Sequence, residues 1–446
     1  MARDFRLRLS FSDVLATTNV AGVLNDVSAT ATPTRSGVVT LVSTANQWAV
    51  GYSDALNFTH FRDQIGDVSI LTSPAPTSAI AGDPALFNST SLNQYFLRAS
   101  VAPIGFFGPQ DCGIIVQGAA DSGSGTAPTA LTAYSQVSAV GSCPATASAQ
   151  TVSSDASATP TFTPVGSVPP SGTLLMFTNL GGGSGTGLAV RTPYMVLQLS
   201  ATTYRLTTAL GGTTVVQTLG AAVTSGTTLV GTNATALTPT AVDITADRIL
   251  FTEPVAVGDT VIFGNVGSIT GITAGTLYYV TSVTSVGATL ATSSGGATID
   301  LGGSLGTPFA GKVNFNTLNA VFPSAGSTTV ITTGVPHGLV PGQIVVPVAT
   351  QGGLTSQVSY YVLSTPTQTT FTVSATINGS AVNITAAPAP LFVGRQPKIV
   401  NVQVAMTTRP WLRFALQQLN GSAVQDGFLA IYGAEFSMGR DSAQVS

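Results

Sequence analysis

The chain has 446 residues, and only 7% of them are Asp, Glu, Lys or Arg, against about 25% in an ordinary soluble domain. A net charge of −3 with 44% apolar residues excludes disorder through low hydrophobicity and nucleic-acid binding through bulk basic charge. The shortage is selective, with Glu253 and Glu435 the only Glu and Lys312 and Lys398 the only Lys, so the charged heptads of a coiled coil are missing. No apolar run approaches the roughly 18 residues of a membrane-spanning helix.

In chain order, Arg3, Arg6 and Arg8 alternate with apolar residues. No apolar segment of the secretory kind comes after them, so no signal peptide is expected. Ser12 is placed to cap a helix over 13–27, and 84–95 is a second helical window. Strands are predicted at Gly37-Val-Val-Thr-Leu-Val, at Tyr95-Phe-Leu-Arg-Ala-Ser-Val and at Cys112-Gly-Ile-Ile-Val-Gln-Gly. Residues 119–170, rich in Ala, Ser, Thr, Pro and Gly, are expected to be a linker or a long loop with short strands inside it. Cys112 and Cys143 are read as unpaired thiols, with a disulfide between them left open.

Beyond residue 170 the chain repeats itself. Val257-Gly-Asp-Thr-Val-Ile-Phe, Leu277-Tyr-Tyr-Val and Ala288-Thr-Leu-Ala match Pro341-Gly-Gln-Ile-Val-Val-Pro, Ser359-Tyr-Tyr-Val and Thr369-Thr-Phe-Thr. A further copy upstream runs through Ser171-Gly-Thr-Leu-Leu-Met-Phe, Pro193-Tyr-Met-Val and Thr202-Thr-Tyr-Arg-Leu. Spacing aligns Tyr194, Tyr278 and Tyr361 as one recurring aromatic. The period is the size of a small domain and too long for a solenoid unit. Alternating apolar residues and turns such as Asn378-Gly379 predict a small β-barrel or sandwich for each copy, over 160–222, 245–303 and 325–388. Towards the end, Ile399-Val-Asn-Val-Gln-Val is a strand. Trp411-Leu-Arg-Phe-Ala-Leu and Gly427-Phe-Leu-Ala-Ile-Tyr are expected to form a C-terminal hairpin. Such a hairpin is marginal alone, so 392–446 is expected to return to a base domain over 1–150 and complete its sheet.

Catalytic chemistry is hard to assemble from this composition. His60 and His337 are the only histidines. His60 lies in Phe58-Thr-His-Phe-Arg-Asp63 with no nucleophile elbow in the chain. His337 sits in a Pro/Gly turn and is read as bonding nearby backbone. Asp54, Asp63 and Asp67 are read as solvated carboxylates. The two His and two Cys match no compact zinc motif. Gly306-Thr-Pro-Phe-Ala-Gly-Lys312 resembles a phosphate loop but ends in Val313, where Ser or Thr would ligand magnesium, and no helix is predicted after it. No catalytic, cofactor or metal site is assigned. Aromatics and Arg are the usual anchors of protein interfaces, which singles out Arg409, Trp411, Arg413, Phe414, Tyr432 and Phe436.

The pattern His337-Gly-Leu-Val-Pro-Gly-Gln-Ile-Val, Tyr360-Tyr-Val and Thr370-Phe-Thr-Val-Ser resembles a β-barrel module repeated in virion proteins of tailed bacteriophages. That module is similar in fold to the first catalytic-cysteine half-domain of ubiquitin-activating enzymes. No catalytic cysteine is carried over, because Cys112 and Cys143 lie outside the repeats. The segments Arg409-Pro-Trp-Leu-Arg-Phe and Gly427-Phe-Leu-Ala-Ile-Tyr resemble the closing strands of phage capsid decoration (cement) proteins. These resemblances imply a mainly β chain: a jelly-roll-like β-sandwich base domain carrying three tandem β modules. They further imply a non-enzymatic virion protein, a trimer on the major capsid protein or another virion protein, without cofactor, nucleic acid or membrane. A tail-fibre, baseplate or receptor-binding protein that contacts host surface glycans is the alternative. A surface adhesin or secreted hydrolase using His60 is a third reading.

Overall fold

The computed structural model describes residues 5–9, 37–42, 56–57, 94–107, 113–119, 134–136, 141–185, 187–213, 219–356, 358–395, 397–404, 411–417 and 426–439. The protein is mainly β, with several antiparallel sheets, one of them closed into a six-stranded barrel. Two compact units divide the chain. The first takes Met1–Pro103, Pro109–Ala145 and Gln396–Ser446, and the second takes Ile104–Gly108 and Thr146–Arg395. The second is therefore an insertion in the sequence of the first.

The first unit begins with β1 (Phe5–Leu9), β2 (Gly37–Val42), β3 (Leu56–Asn57), β4 (Gln94–Ile104), β5 (Gly113–Ala119), β6 (Tyr134–Gln136) and β7 (Gly141–Ser142). The helical windows over 13–27 and 84–93 lie outside the described residues. Gln94 and Tyr95, the end of the second window, are strand.

The barrel of the second unit is built from β8 (Ala147–Ser154), β9 (Phe162–Pro164), β10 (Leu174–Asn179), β12 (Pro193–Gln198), β13 (Tyr204–Thr207) and β15 (Gly226–Gly231). The small pair β11 (Ser184–Gly185) and β14 (Leu219–Ala221) lies beside it. Its interior holds Phe162, Phe177, Tyr194 and Tyr204 among aliphatic side chains, with Phe162 stacked on Tyr204 at 5.7 Å. The long polar stretch before residue 170 thus supplies two barrel strands. β8 pairs with β15 through residues 147–152 and with β9 through 152–154, so one run of chain closes the barrel.

Two seven-stranded sheets come next. The first contains β16 (Ala234–Leu237), β17 (Pro239–Asp243), β18 (Arg248–Phe251), β19 (Thr260–Asn265), β21 (Leu277–Thr284), β22 (Gly287–Ala291) and β24 (Phe309–Val313), with β20 (Ser268–Thr270) and β23 (Gly302–Ser304) as a side pair. The second contains β25 (Ala320–Val321), β26 (Pro323–Ser327), β27 (Val330–Thr333), β28 (Ile344–Pro347), β29 (Tyr360–Thr367), β30 (Thr370–Ser374) and β31 (Leu391–Val393). Their orders coincide: β16-β24-β19-β21-β22-β18-β17 against β25-β31-β28-β29-β30-β27-β26. In each, the two edge strands are consecutive in the chain, separated by Thr238 or Phe322 alone. The barrel order β15-β10-β12-β13-β9-β8 is the same sequence of positions.

The registers equate individual residues. Leu175 faces Tyr194, Val261 faces Tyr278 and Val345 faces Tyr360. Each of these tyrosines is buried, and its hydroxyl accepts the N–H five residues back, from Ala189 (2.7 Å), Thr273 (2.7 Å) and Thr355 (3.0 Å). The recurring aromatic is therefore Tyr360, not Tyr361; in a Tyr-Tyr pair, a slip of one residue exchanges the two faces of the strand. Before the same strands, Gly172, Gly258 and Gly342 have φ of 86°, 91° and 85°. Their N–H groups bond Val196, Val280 and Val362 carbonyls at 2.9, 2.8 and 2.7 Å. A turn with positive φ at this point suits glycine alone.

The sheets of the second unit pack closely on one another. A Cβ on Gly311 would overlap the Ser171 carbonyl, one on Gly264 the Gln198 backbone, and one on Gly211 the Val335 side chain. Asn233, fully buried just before β16, accepts the Leu174 N–H and donates to the Gly172 carbonyl, both at 2.8 Å. Thr146, one residue before β8, makes the same two-sided grip on the Phe107 N–H (2.8 Å) and the Gly105 carbonyl (2.7 Å). Asn319, one residue before β25, also donates to the Gly105 carbonyl at 2.8 Å and accepts from Arg395 Nη2 at 3.1 Å.

The chain ends in the first unit with β32 (Lys398–Val404), β33 (Trp411–Gln417) and β34 (Asp426–Gly439). One sheet runs β1-β34-β4-β32 with β2 also on β34, and the other runs β3-β33-β5-β6 with β7 on β5. β33 and β34 thus enter different sheets rather than forming the expected C-terminal hairpin. Each finds its partners among strands from the first 142 residues.

Candidate functional site

The interface residues singled out from the sequence divide between those two sheets. Trp411, Arg413 and Phe414 lie on β33, opposite Ala119, Gln117 and Val116 of β5. Phe436 lies on β34 opposite Leu7, and Tyr432 comes directly after Ile431, which faces Gly37. Arg409 lies outside the described residues. The five described ones therefore do not share one hairpin. His60, Asp54, Asp63, Asp67 and Cys112 are also outside the described residues, and Cys143 is a buried free thiol.

His337 is 3% exposed and fully engaged. Its Nδ1 accepts the Leu339 N–H at 2.9 Å, and its Nε2 lies 3.2 and 3.3 Å from the Thr367 and Thr370 carbonyls. This pattern calls for the neutral ring with the proton on Nε2. The ring meets Phe371 edge to face at 5.2 Å. Burial holds its pKa below the ordinary value, against the opposing pull of the Thr370 and Thr367 carbonyls. The side chain joins the loop ahead of β28 to the β29–β30 turn and has no nitrogen left for proton transfer.

His337 borders a polar cleft of about 1040 Å³ between the two seven-stranded sheets. Residues of β19, β21 and β24, of the β29–β30 turn and of the connector 314–317 line it. The cleft contains the ion pair of Lys312 with Asp259, at 3.3 Å and about one-third exposed. Lys312 faces Val261 across the sheet, so its stem shares the inward face. Its ammonium emerges at the end of the sheet and also donates to the Pro254 carbonyl at 3.3 Å. Asp259 Oδ2 also accepts the Ala256 N–H at 2.8 Å, which fixes the carboxylate over the Gly258 turn.

Lys312 therefore sits in a strand, and the chain leaves that strand through a single 3-10 turn, Phe315–Thr317. That arrangement lacks the helix a phosphate loop requires. Among the described residues no group of three His, Cys, Asp or Glu is placed to hold a metal. Sequence reasoning missed Tyr279 and Gln368 of this cleft; the signal available was the departure of one repeat copy from its siblings. No protein-family model matches the chain, and no curated protein matches it.

Proposed function

We propose that the protein is a non-enzymatic structural protein of a tailed-bacteriophage virion, a capsid decoration (cement) or head-fibre protein. The observation that carries this reading is the recurrence of one strand order, with its Gly turn and capped Tyr, three times in succession within an insertion of a second β unit. In this reading the three sheets are tandem copies of one small barrel. The broken edge runs 234–243 and 320–327 do for the later copies what β8 does for the first. The two five-stranded sheets of the first unit are the faces of a jelly-roll-like sandwich, which seats a homotrimer on the major capsid protein. The close backbone contacts between copies support a rigid block over a string of hinged beads.

Counting copies in purified particles tests the reading. A copy number matching capsid sites, with density on the head, is the expected result. A handful of copies at the tail tip would overturn it in favour of a tail-fibre or receptor-binding protein. The neutral, hydroxyl-lined cleft is the feature that favours this second reading.

A further inference from the structure

Repeated units make their own control: where one copy departs from the others, the departure needs a separate reason. The register equates Tyr279 with Met195 and Tyr361, Lys312 with Val230 and Val393, and Asp259 with Thr173 and Gln343. Met195 and Tyr361 are buried, whereas Tyr279 is half-buried. Among the described residues its hydroxyl has no hydrogen-bond partner. The connector into the last sheet departs as well. Two residues join β15 to β16, but six join β24 to β25, including Asn314, Phe315 and Asn316. All of these departures converge on the one cleft beside His337.

The chemistry of the cleft restricts its ligand. Its one cation and one acidic residue neutralise each other, and His337 is neutral with both nitrogens engaged. A phosphate or other strongly charged ligand finds no unmatched counter-charge. Twelve of the 22 lining residues carry a hydroxyl or side-chain amide, which both donate and accept. Exposed Asn316 and Gln368 line the cleft together with half-buried Tyr279 and partly exposed Phe315. Amides for hydroxyl groups, with an aromatic face for an apolar ring surface, suit a polyhydroxylated ligand with one apolar face. We propose that this cleft binds a neutral saccharide. Tyr279 stacks on the sugar ring, Asn316 and Gln368 bond its hydroxyls, and the Lys312–Asp259 pair offers one donor and one acceptor. The site rests on the strand registers and not on where the protein sits in a particle, so it stands or falls separately from the decoration reading.

Saturation-transfer NMR on the full chain tests it. The probes are glucose, galactose, mannose, N-acetylglucosamine, rhamnose and their common disaccharides, with inorganic phosphate as the charged control. Binding of at least one neutral sugar in the millimolar range is expected, as for a small ligand with few contacts. Tyr279→Ala and Gln368→Ala should each weaken it about tenfold, which corresponds to about 1.4 kcal/mol. Tyr279→Phe, which keeps the ring, should retain most of it. Gln368 is exposed in a turn, so its variant remains informative if Tyr279→Ala fails to fold. No saturation transfer to any sugar at about 10 mM, binding of phosphate alone, or undiminished sugar binding by folded Gln368→Ala and Tyr279→Ala would each overturn the proposal.

Discussion

Replacing Asn233 by Ala tests how the sheets of the second unit are tied together. The Asn233 amide is fully buried, and its two hydrogen bonds, both 2.8 Å, satisfy the Leu174 N–H and the Gly172 carbonyl of the preceding barrel. Truncation leaves both backbone groups without that partner. Each orphaned buried group costs about 1–3 kcal/mol. A water entering the vacated space offsets part of this, which leaves a net loss of about 3 kcal/mol. For a unit of some 250 residues, 1 kcal/mol moves the melting temperature by about 2–4 °C, so a drop of about 6–12 °C is expected in calorimetry. Asn233→Asp provides a second arm. Its carboxylate would place an oxygen against the Gly172 carbonyl, whereas the protonated acid can donate as the amide does. Burial and that oxygen raise its folded pKa, so the stabilising form is present below the unfolded pKa near 4 and lost as pH rises. The Asp variant should therefore approach the wild type at low pH and fall away from it towards neutrality. A melting temperature for Asn233→Ala within about 1 °C of wild type, or equal stability of the Asp variant at neutral pH, would refute the argument.

The same geometry sets four other outcomes. Tyr194→Phe, Tyr278→Phe and Tyr360→Phe each remove one acceptor for a loop N–H and should each cost about 1 kcal/mol in urea unfolding, whereas Tyr361→Phe should not reproduce the loop effect. A Cβ at Gly258 or Gly342 meets nothing within 4 Å, so Gly→Ala there isolates the positive-φ penalty of about 1–2 kcal/mol; Gly172→Ala should cost more, because its Cβ also meets Val313. His337 has a folded pKa below its unfolded value, so its contribution is complete above the unfolded pKa near 6.5 and is lost as pH falls. Stability measured from pH 7.5 to 5 should decline more steeply in the wild type than in His337→Gln, and parallel curves would exclude this role. Glu253, whose carboxylate takes the Thr238 N–H at 2.6 Å and hydroxyl at 2.9 Å where the edge run breaks, should cost about 1 kcal/mol when replaced by Ala, measured by thermal melting.

Repeated side-chain requirements are legible in the sequence, and strand partners are not. The Gly turn before β10, β19 and β28 is visible because only glycine suits its φ, and the capped tyrosine because its body is buried while its hydroxyl serves a loop. Gapless alignment of Leu206 with Val373 equates the residues that the registers equate. Alignment of Tyr361 in place of Tyr360 fails because two adjacent tyrosines satisfy the spacing equally well, and only hydrogen bonding separates them. The strand Ala147–Ser154 escapes a hydrophobic pattern because small polar residues replace the apolar alternation: only Ala147 and Val152 are buried in it. Pairing of β33 with β34 is the natural expectation from their proximity in sequence, yet each strand satisfies its backbone groups against earlier parts of the chain. The cleft lies beyond reach for a similar reason. Asp259, Tyr279, Lys312 and Gln368 are spread over more than a hundred residues, and only the packing of two sheets gathers them.

The scarcity of Lys and Glu acquires a structural cause that requires no partner molecule. Where the sheets of the second unit meet, Ser171, Gly264, Gly311 and Gly338 bring backbone against backbone. A long charged side chain at such a point would have to be ordered and stripped of water at once, which costs several kcal/mol unless it is paired. Asn233, Thr146 and Asn319 meet the polar needs of these seams with neutral groups that donate and accept together. Arg395 shows the alternative. It is a partly buried cation that donates to the Asn319 amide oxygen, and desolvation lowers its pKa to about 10. The low charge of the chain is thus partly a consequence of packing three β layers of one polypeptide against each other. Composition is therefore no evidence of contact with another molecule, because it would look the same if this insertion never touched one.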